Sequence, residues 1–245
     1  MNLISRRALA ALSLVLGAVI APPAFAQEAV IRKNIAERLP DLPKIDEVSK
    51  TPIPGIFEIR IGTDVLYTDE QGNHLFEGQL IETRSRQNLT QARVDKLTQI
   101  DVAGLPLKDA IVWKQGTGAR KLVVFADPNC GYCKRFERDL NAVKDVTVYT
   151  FLYPILGGDS PEKAKDIWCA KDNTKAWRDW MLQGIVPPRS MGPCDTAALA
   201  RNEALGRKHK INGTPAIVFE DGKRIPGAMS SEQIEKQLVA SRAKP

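Results

Sequence analysis

The stretch that decides the fold is residues 121–134, which read KLVVFADPNCGYCK. Its first part, Lys121–Ala126, is an apolar run bounded by charge and by Asp127-Pro128, a pattern typical of a buried β-strand. The residues that follow, 131–144, have the apolar spacing of a helix. A Cys-x-x-Cys at the junction of a buried strand and a helix is typical of a thiol redox site.

The chemistry predicted for this dithiol follows from its position at the start of a helix. Free backbone N–H groups and the helix dipole favour an anion there, so we expect Cys130 to be the nucleophilic thiolate and Cys133 the resolving thiol. Gly131 and Tyr132 lie between them, and we expect Tyr132 to be exposed and able to contact substrate. Lys134 either favours the thiolate by its charge or is an ordinary solvated lysine.

The first 26 residues are predicted to be a signal peptide that is cleaved after Ala26. Arg6 and Arg7 precede the apolar run Ala8–Ala21, and Ala24-Phe25-Ala26 is a small-x-small cleavage signature. The run has about fourteen residues, fewer than the roughly twenty that span a bilayer, which disfavours the alternative of a retained anchor. We favour general secretion over the twin-arginine route that the two arginines also permit, and we expect a periplasmic protein.

Charge divides the mature chain into two parts. The net charge of +6 falls to +4 without the signal peptide, too low to indicate nucleic-acid binding. Residues 27–88 carry eight basic and eleven acidic residues, whereas residues 89–245 carry 25 and 18. This change of sign predicts two domains with different surfaces.

We expect an N-terminal α+β domain over residues 27–87. An amphipathic helix is predicted for residues 28–39, a connector for 44–54 and three strands within 55–84, the third from His74 to Thr83. The helix pattern rests on Val30, Ile31, Ile35 and Leu39. A domain with so small a hydrophobic core would be only marginally stable alone, and pairing with a second copy of itself would increase its stability.

Residues 88–110 are predicted to be a linker region. A helix over 88–100 can be capped by Asn88 or Thr90 and carries an apolar stripe. Two interpretations stay open, a linker helix between two domains and a surface helix packed on one of them.

The remaining part, residues 111–245, is predicted to be an α/β catalytic domain. A parallel β-α-β unit over residues 121–152 is followed by helical segments 161–183 and 195–208. A hairpin of 216–219 with 223–226 and a last helix from about Ser231 to Ala240 complete a thioredoxin fold with a helical insertion. We expect its four tryptophans to pack in the core rather than bind substrate: Trp113, Trp168, Trp177 and Trp180.

The other cysteines and the two histidines do not suggest a metal site. Cys169 and Cys194 are twenty-five positions apart and form no second Cys-x-x-Cys, and neither His74 nor His209 completes a zinc-ligand spacing. In an exported protein a structural disulfide between Cys169 and Cys194 is expected, ahead of a second redox pair. No Gly-rich phosphate loop is present, so no cofactor is expected.

Several of these segments together resemble a known family. Residues 125–133, FADPNCGYC, and Gly213-Thr214-Pro215-Ala216 resemble the thioredoxin superfamily. Ile167–Asp172, which reads IWCAKD, and the strand-rich N-terminal part narrow the resemblance to the periplasmic thiol:disulfide isomerases of the DsbC family.

The resemblance implies an architecture and a set of partners. The N-terminal domain would be a cystatin-like dimerisation domain, and linker helices would carry two catalytic domains in a V-shaped homodimer. The dimer would hold misfolded disulfide-containing exported proteins, with possible chaperone activity, and a membrane thiol reductant of the DsbD type would keep it reduced.

The resemblance also implies roles for individual residues. Thr214 and a cis Pro215 would lie beside Cys130, and Cys169–Cys194 would be the structural disulfide. Thioredoxins carry a buried acid where this chain has Val124, so water or another side chain must accept the proton of Cys133. The alternatives are a periplasmic thiol oxidase or reductase with narrower clients and a non-enzymatic chaperone whose dithiol is incidental.

Overall fold

The computed structural model describes residues 23–242 of the chain. Residues 1–22 of the predicted signal peptide lie outside the described residues, and the position after Ala26 falls within the first helix of the full-length chain. The chain divides into two compact units, one up to Leu80 and one from Ile81. Across the described range, no helix combines the length and apolarity needed to cross a membrane.

The first unit packs one helix on an antiparallel sheet. Helix α1 has its buried residues Ile31 and Ile35 against Phe57 and Ile59 of the sheet. The sheet order is β1-β2-β3-β4, with every neighbouring pair antiparallel. The elements are α1 (Pro23–Arg38), β1 (Glu47–Lys50), β2 (Ile56–Ile61), β3 (Asp64–Asp69) and β4 (Leu75–Phe76).

Three predictions for the first unit need correction. The predicted connector, residues 44–54, contains strand β1, which pairs with β2 so that Val48 faces Ile59. The predicted third strand, residues 74–83, pairs with β3 over only two residues. Val30 and Leu39 are exposed, because the helix buries only the narrow stripe that faces the sheet.

The second unit begins with a short β-ribbon and the helix predicted as a linker. The elements are β5 (Ile81–Glu82), β6 (Gln87–Asn88), α2 (Leu89–Leu97) and a single 3₁₀ turn (Leu107–Asp109). The Asn88 side chain caps α2 by accepting the Gln91 N–H at 2.9 Å. Asn88 is one of the two residues predicted to cap this helix. Ile100, just beyond α2, is buried and donates its N–H to the Gly222 carbonyl at 3.0 Å.

The rest of the second unit is a thioredoxin fold built on a five-stranded sheet of order β11-β10-β8-β9-β7. Its elements are β7 (Ile111–Gln115), β8 (Arg120–Ala126), α3 (Gly131–Leu140), β9 (Val146–Leu152), α4 (Ser160–Trp168), α5 (Asn173–Gln183), α6 (Ala197–Lys208), β10 (Ala216–Phe219), β11 (Arg224–Pro226) and α7 (Ser231–Arg242). Strands β8 and β9 are parallel and β10–β11 is a hairpin, which confirms both predictions. Strand β7, paired antiparallel with β9, was not predicted.

The tryptophans pack in the core of this unit, which confirms their predicted role. Trp177 is fully buried and Trp113 nearly so, while Trp168 and Trp180 are half-buried at the edge of the same core. This core also contains Cys130, and α3 contributes Cys133, Phe136 and Leu140 from its buried face. The histidines lie elsewhere: His74 is exposed beside Asp69, and His209 ends α6.

Candidate active site

The redox motif lies where β8 ends and α3 begins. Cys130 is the N-cap of α3, with extended backbone angles, and its Sγ accepts the N–H of Cys133 at 3.2 Å. On the other side its thiol donates to the carbonyl of Thr214 at 3.2 Å. Both Cys130 and Cys133 are free thiols. The strand therefore delivers Cys130 to the position where a helix start stabilises a thiolate.

The two thiols titrate in opposite directions. A hydrogen bond from the Cys133 side chain is the largest influence on Cys130 and, with backbone N–H groups of α3, lowers its pKa from 9.0 to about 6 although burial opposes this. Burial, followed by the neighbouring Cys130, raises the pKa of Cys133 far above its ordinary value. Cys130 can therefore attack as an anion near neutral pH, whereas Cys133 stays protonated until something removes its proton.

The two thiols also differ from the residues between them in their access to solvent. Cys130 is only 4% exposed and Cys133 1%, while Tyr132 is 67% exposed. Tyr132 is therefore at the surface, as expected from the sequence, whereas both cysteine side chains are buried.

The loop before β10 forms the second wall of the site. The Thr214–Pro215 peptide bond is cis, and the Thr214 carbonyl contacts the Cys130 sulfur. Pro215 is buried and precedes Ala216, which pairs with Phe125 at the end of β8. The pairing of β10 with β8 thus brings residues 214–215 next to the redox motif.

A buried carboxylate holds the turn that precedes Cys130. Asp127 is fully buried and accepts three hydrogen bonds: from the N–H of Asn129 at 2.7 Å, the N–H of Leu156 at 2.9 Å and the hydroxyl of Ser160 at 2.9 Å. Its own carbonyl accepts the N–H of Cys130 at 3.1 Å. Asp127 therefore links the redox turn to the segment after β9. The sequence analysis did not identify this residue. The Asp127-Pro128-Asn129 sequence could have indicated it, because an Asp side chain often stabilises a turn by accepting a backbone N–H two residues later.

Lys134 is partly buried against an aromatic ring and so is not an ordinary solvated lysine. Its ammonium lies 3.9 Å from the centre of the Trp180 ring, and Lys163 approaches the same ring at 4.1 Å. Burial, then the charges of Lys163 and Arg138, lower the pKa of Lys134. The Trp180 indole N–H donates to the Pro128 carbonyl at 2.5 Å, so this tryptophan stabilises the turn that precedes Cys130.

A buried acid on the redox helix is the second residue that the sequence analysis missed. Glu137 is 2% exposed, on the same face of α3 as Cys133. Its Oε1 accepts the indole N–H of Trp177 at 2.8 Å, and its Oε2 has no hydrogen-bond partner among the described residues. Burial raises the pKa of Glu137 to about 7, although Trp177 and the charge of Arg178 oppose the shift.

The remaining cysteines lie in the helical insertion, outside the redox motif. Cys169 and Cys194 form a disulfide with their Cα atoms 5.8 Å apart. It joins the end of α4 to the segment before α6. Within residues 23–242, no cluster of three histidine, cysteine or acidic side chains is arranged to hold a metal ion.

Comparisons with known proteins agree with this geometry. Residues 107–241 match the model of a thioredoxin-like domain, and residues 22–91 match that of the disulfide bond isomerase N-terminal domain. A probable thiol:disulfide interchange protein DsbC of Bordetella pertussis is 43% identical over 212 residues, which cover 86% of this chain and 74% of the relative. The chain belongs to the DsbC family.

Two further matches extend this result. The thiol:disulfide interchange protein DsbC of Escherichia coli is 30% identical over 200 residues, covering 80% of this chain and 81% of the relative. A crystal structure of a disulfide interchange protein from Neisseria gonorrhoeae is 38% identical over 56% of this chain and 99% of that chain, with a TM-score of 0.53. This DsbC-family chain is accordingly a thiol:disulfide oxidoreductase, an enzyme of the disulfide isomerase class.

Proposed function

We propose that this protein rearranges incorrect disulfides in exported proteins, with Cys130 as nucleophile and Cys133 as resolving thiol. The observation that carries the proposal is the position of the Cys130 sulfur, between the Cys133 N–H and the Thr214 carbonyl, in a DsbC-family chain. The active-site loops around this sulfur contain Gly131, Tyr132, Thr214 and Pro215. Cys169–Cys194 serves as a structural disulfide.

The proposed reaction begins with both thiols reduced. The Cys130 thiolate attacks one sulfur of a substrate disulfide and forms a mixed disulfide, and the other substrate sulfur leaves as a thiolate. A substrate thiolate can then attack elsewhere and release the enzyme reduced. When this fails, Cys133 attacks Cys130, the substrate leaves reduced, and the Cys130–Cys133 disulfide must be reduced by an external thiol.

The wider setting of the reaction is also part of the proposal. The signal-peptide pattern of residues 1–26, with cleavage after Ala26, supports export to the periplasm. The match of residues 22–91 to the disulfide isomerase N-terminal domain supports assignment of residues 27–87 to a dimerisation domain, joined through the linker region 88–110 to the catalytic domain 111–245. A homodimer would hold misfolded clients between its catalytic domains and show chaperone activity, and a membrane reductant of the DsbD type would keep it reduced.

The test is reactivation of a scrambled multi-disulfide protein by residues 27–245 in a mildly reducing glutathione buffer. We expect strong reactivation by the wild-type chain and none by Cys130→Ser, while Cys133→Ser should accumulate a mixed disulfide with the substrate. Sedimentation equilibrium on the same sample should give twice the mass of one chain. If the chain only oxidises reduced substrate, the isomerase proposal is wrong and an oxidase role replaces it.

A further inference from the structure

The resolving step needs a proton acceptor that the motif itself does not contain. Cys133 must become a thiolate before it can attack Cys130, yet burial and the adjacent Cys130 raise its pKa. At the position where thioredoxins carry a buried acid, this chain has Val124, which lies in the sheet between Thr150 of β9 and Ile217 of β10. The acceptor must therefore come from elsewhere in the fold.

Glu137 is placed to fill this role. It follows Cys133 by four residues on α3, so the two side chains lie on one helix face, one turn apart. Side chains in a helix lean towards its N-terminus, so we expect the Glu137 side chain to lie over the turn that carries Cys133. Both residues are buried, so bulk water has poor access to the Cys133 thiol.

The two carboxyl oxygens of Glu137 have different environments. Oε1 is held by the Trp177 indole, which fixes the carboxyl group, whereas Oε2 has no hydrogen-bond partner among the described residues. A buried acceptor without a donor is uncommon in folded proteins and calls for an explanation. We infer that Glu137 accepts the proton of the Cys133 thiol when Cys133 attacks the mixed disulfide, an inference that rests on the proposed function.

The charged groups around Glu137 are consistent with reversible protonation. From α5, Arg178 acts on it electrostatically, and on α3 itself the ionisable residues one turn before it are Cys133 and Lys134. Helix α7 also packs on α3, but its Glu235 is bound to Arg120 and its core residues, Ile234 and Leu238, are apolar. The pKa of Glu137, about 7, lies where a general acid–base group works best in neutral solution.

In the proposed resolving step one proton moves from sulfur to oxygen and one disulfide is exchanged for another. The Cys133 S–H bond breaks and its proton moves to the Glu137 carboxylate. The Cys133 thiolate then forms a bond to the Cys130 sulfur, the bond between Cys130 and the substrate sulfur breaks, and the substrate leaves as a thiolate. The enzyme dithiol is oxidised and the substrate sulfur reduced, and Glu137 later returns its proton to the solvent.

A two-phase reaction separates this step from the one before it. Reduced enzyme is mixed with dithionitrobenzoate, so that attack by Cys130 releases one coloured thiolate and attack by Cys133 releases the second. For Glu137→Gln, which keeps an acceptor for Trp177, we expect a normal first phase and a second phase about a hundredfold slower near pH 7. The wild-type second phase should also show an inflection at about pH 7 that this variant lacks.

Two further variants make the result specific. Asp139→Asn changes a partly exposed acid on the same helix and should leave both phases unchanged. Trp177→Phe removes a hydrogen bond that lowers the pKa of Glu137, so the inflection of the second phase should move to higher pH. A second phase of wild-type rate and pH profile in Glu137→Gln would overturn the inference, as would a slower phase that keeps the inflection. Absence of the first phase in the wild-type chain would instead contradict the proposed function.

Discussion

At the scale of single residues, the site depends on a difference between two identical side chains three positions apart. Cys130 lies at the helix start, where N–H groups and the Cys133 thiol stabilise its anion, while Cys133 lies one turn inside and is buried. Because folding lowers the pKa of Cys130, its ionisation adds to the free energy of unfolding of the reduced protein. This contribution is complete above about pH 9. That stabilisation is lost as the pH falls through about 6.

We predict that the Cys133 thiol is the main cause of the low pKa of Cys130. In Cys133→Ala the strongest donor to Cys130 is gone but the backbone N–H groups of α3 remain, so we expect the pKa of Cys130 to rise above 6 and stay below 9. The measurement is the rate of alkylation by iodoacetamide as a function of pH, with Cys130→Ser as the blank. An inflection that stays at about pH 6 in Cys133→Ala would show that the Cys133 thiol is not the main cause.

The residues that could be predicted from the sequence are those whose role follows from local order. The spacing of Cys130 and Cys133 and their place after a buried strand are local, and the resemblance added Thr214 and Pro215. Asp127 was missed because its partners, Leu156 and Ser160, follow by about thirty residues and meet it only through the fold. Glu137 was missed although it falls on the buried helical stripe with Cys133, because a charged residue is normally read as exposed.

At the scale of elements, helix α6 approaches the end of β9 closely at Gly206. A Cβ atom there would lie 2.4 Å from the ring of Tyr153, whose hydroxyl donates to the Ile211 carbonyl at 3.0 Å. Glycine inside a helix costs about 1 kcal/mol relative to alanine. The close approach of the buried tyrosine explains why glycine occupies this position.

We therefore predict that Gly206→Ala destabilises the protein despite its better helix propensity. The displaced tyrosine should cost about 1–3 kcal/mol, as overpacking in a core does. Urea denaturation checks this, with Gly192→Ala as the control, since a Cβ at Gly192 meets nothing within 4 Å. Equal or greater stability of Gly206→Ala would show that Tyr153 moves aside freely.

The elements that were predicted well are those with a strong pattern of their own. Strand β8 is a continuous apolar run and the β10–β11 hairpin has a Gly turn, so both were located from the sequence. Strand β1 reads EVSK, with a single apolar residue, and becomes a strand because β2 offers it a partner. Strand β7 pairs with β9, more than thirty residues away, and that pairing is not visible in a local window.

At the scale of the whole molecule, one covalent bond outside the redox motif contributes to stability. The Cys169–Cys194 disulfide closes a loop across the helical insertion, with a sequence separation of 25 residues. A loop of this length restricts the unfolded chain enough to stabilise the fold by about 3 kcal/mol.

The corresponding prediction is a loss of stability without a loss of chemistry. In the double variant Cys169→Ala, Cys194→Ala, we expect the free energy of unfolding to fall by about 3 kcal/mol, while Cys130 keeps its reactivity. Urea denaturation and the alkylation profile measure the two effects. If alkylation of Cys130 were lost in the folded variant, the second disulfide would have a part in the redox reaction.

The depth of the Cys130 sulfur limits which proteins can reach it. Because Cys130 is 4% exposed and its sulfur contacts the 214–215 loop, we expect it to react with a disulfide on a chain segment that can bend towards it. Natively folded proteins keep most of their disulfides inside compact cores, whereas incompletely folded proteins expose theirs on mobile segments. We therefore expect the enzyme to leave buried native disulfides intact because they do not reach Cys130, without having to recognise which cysteines are correctly paired.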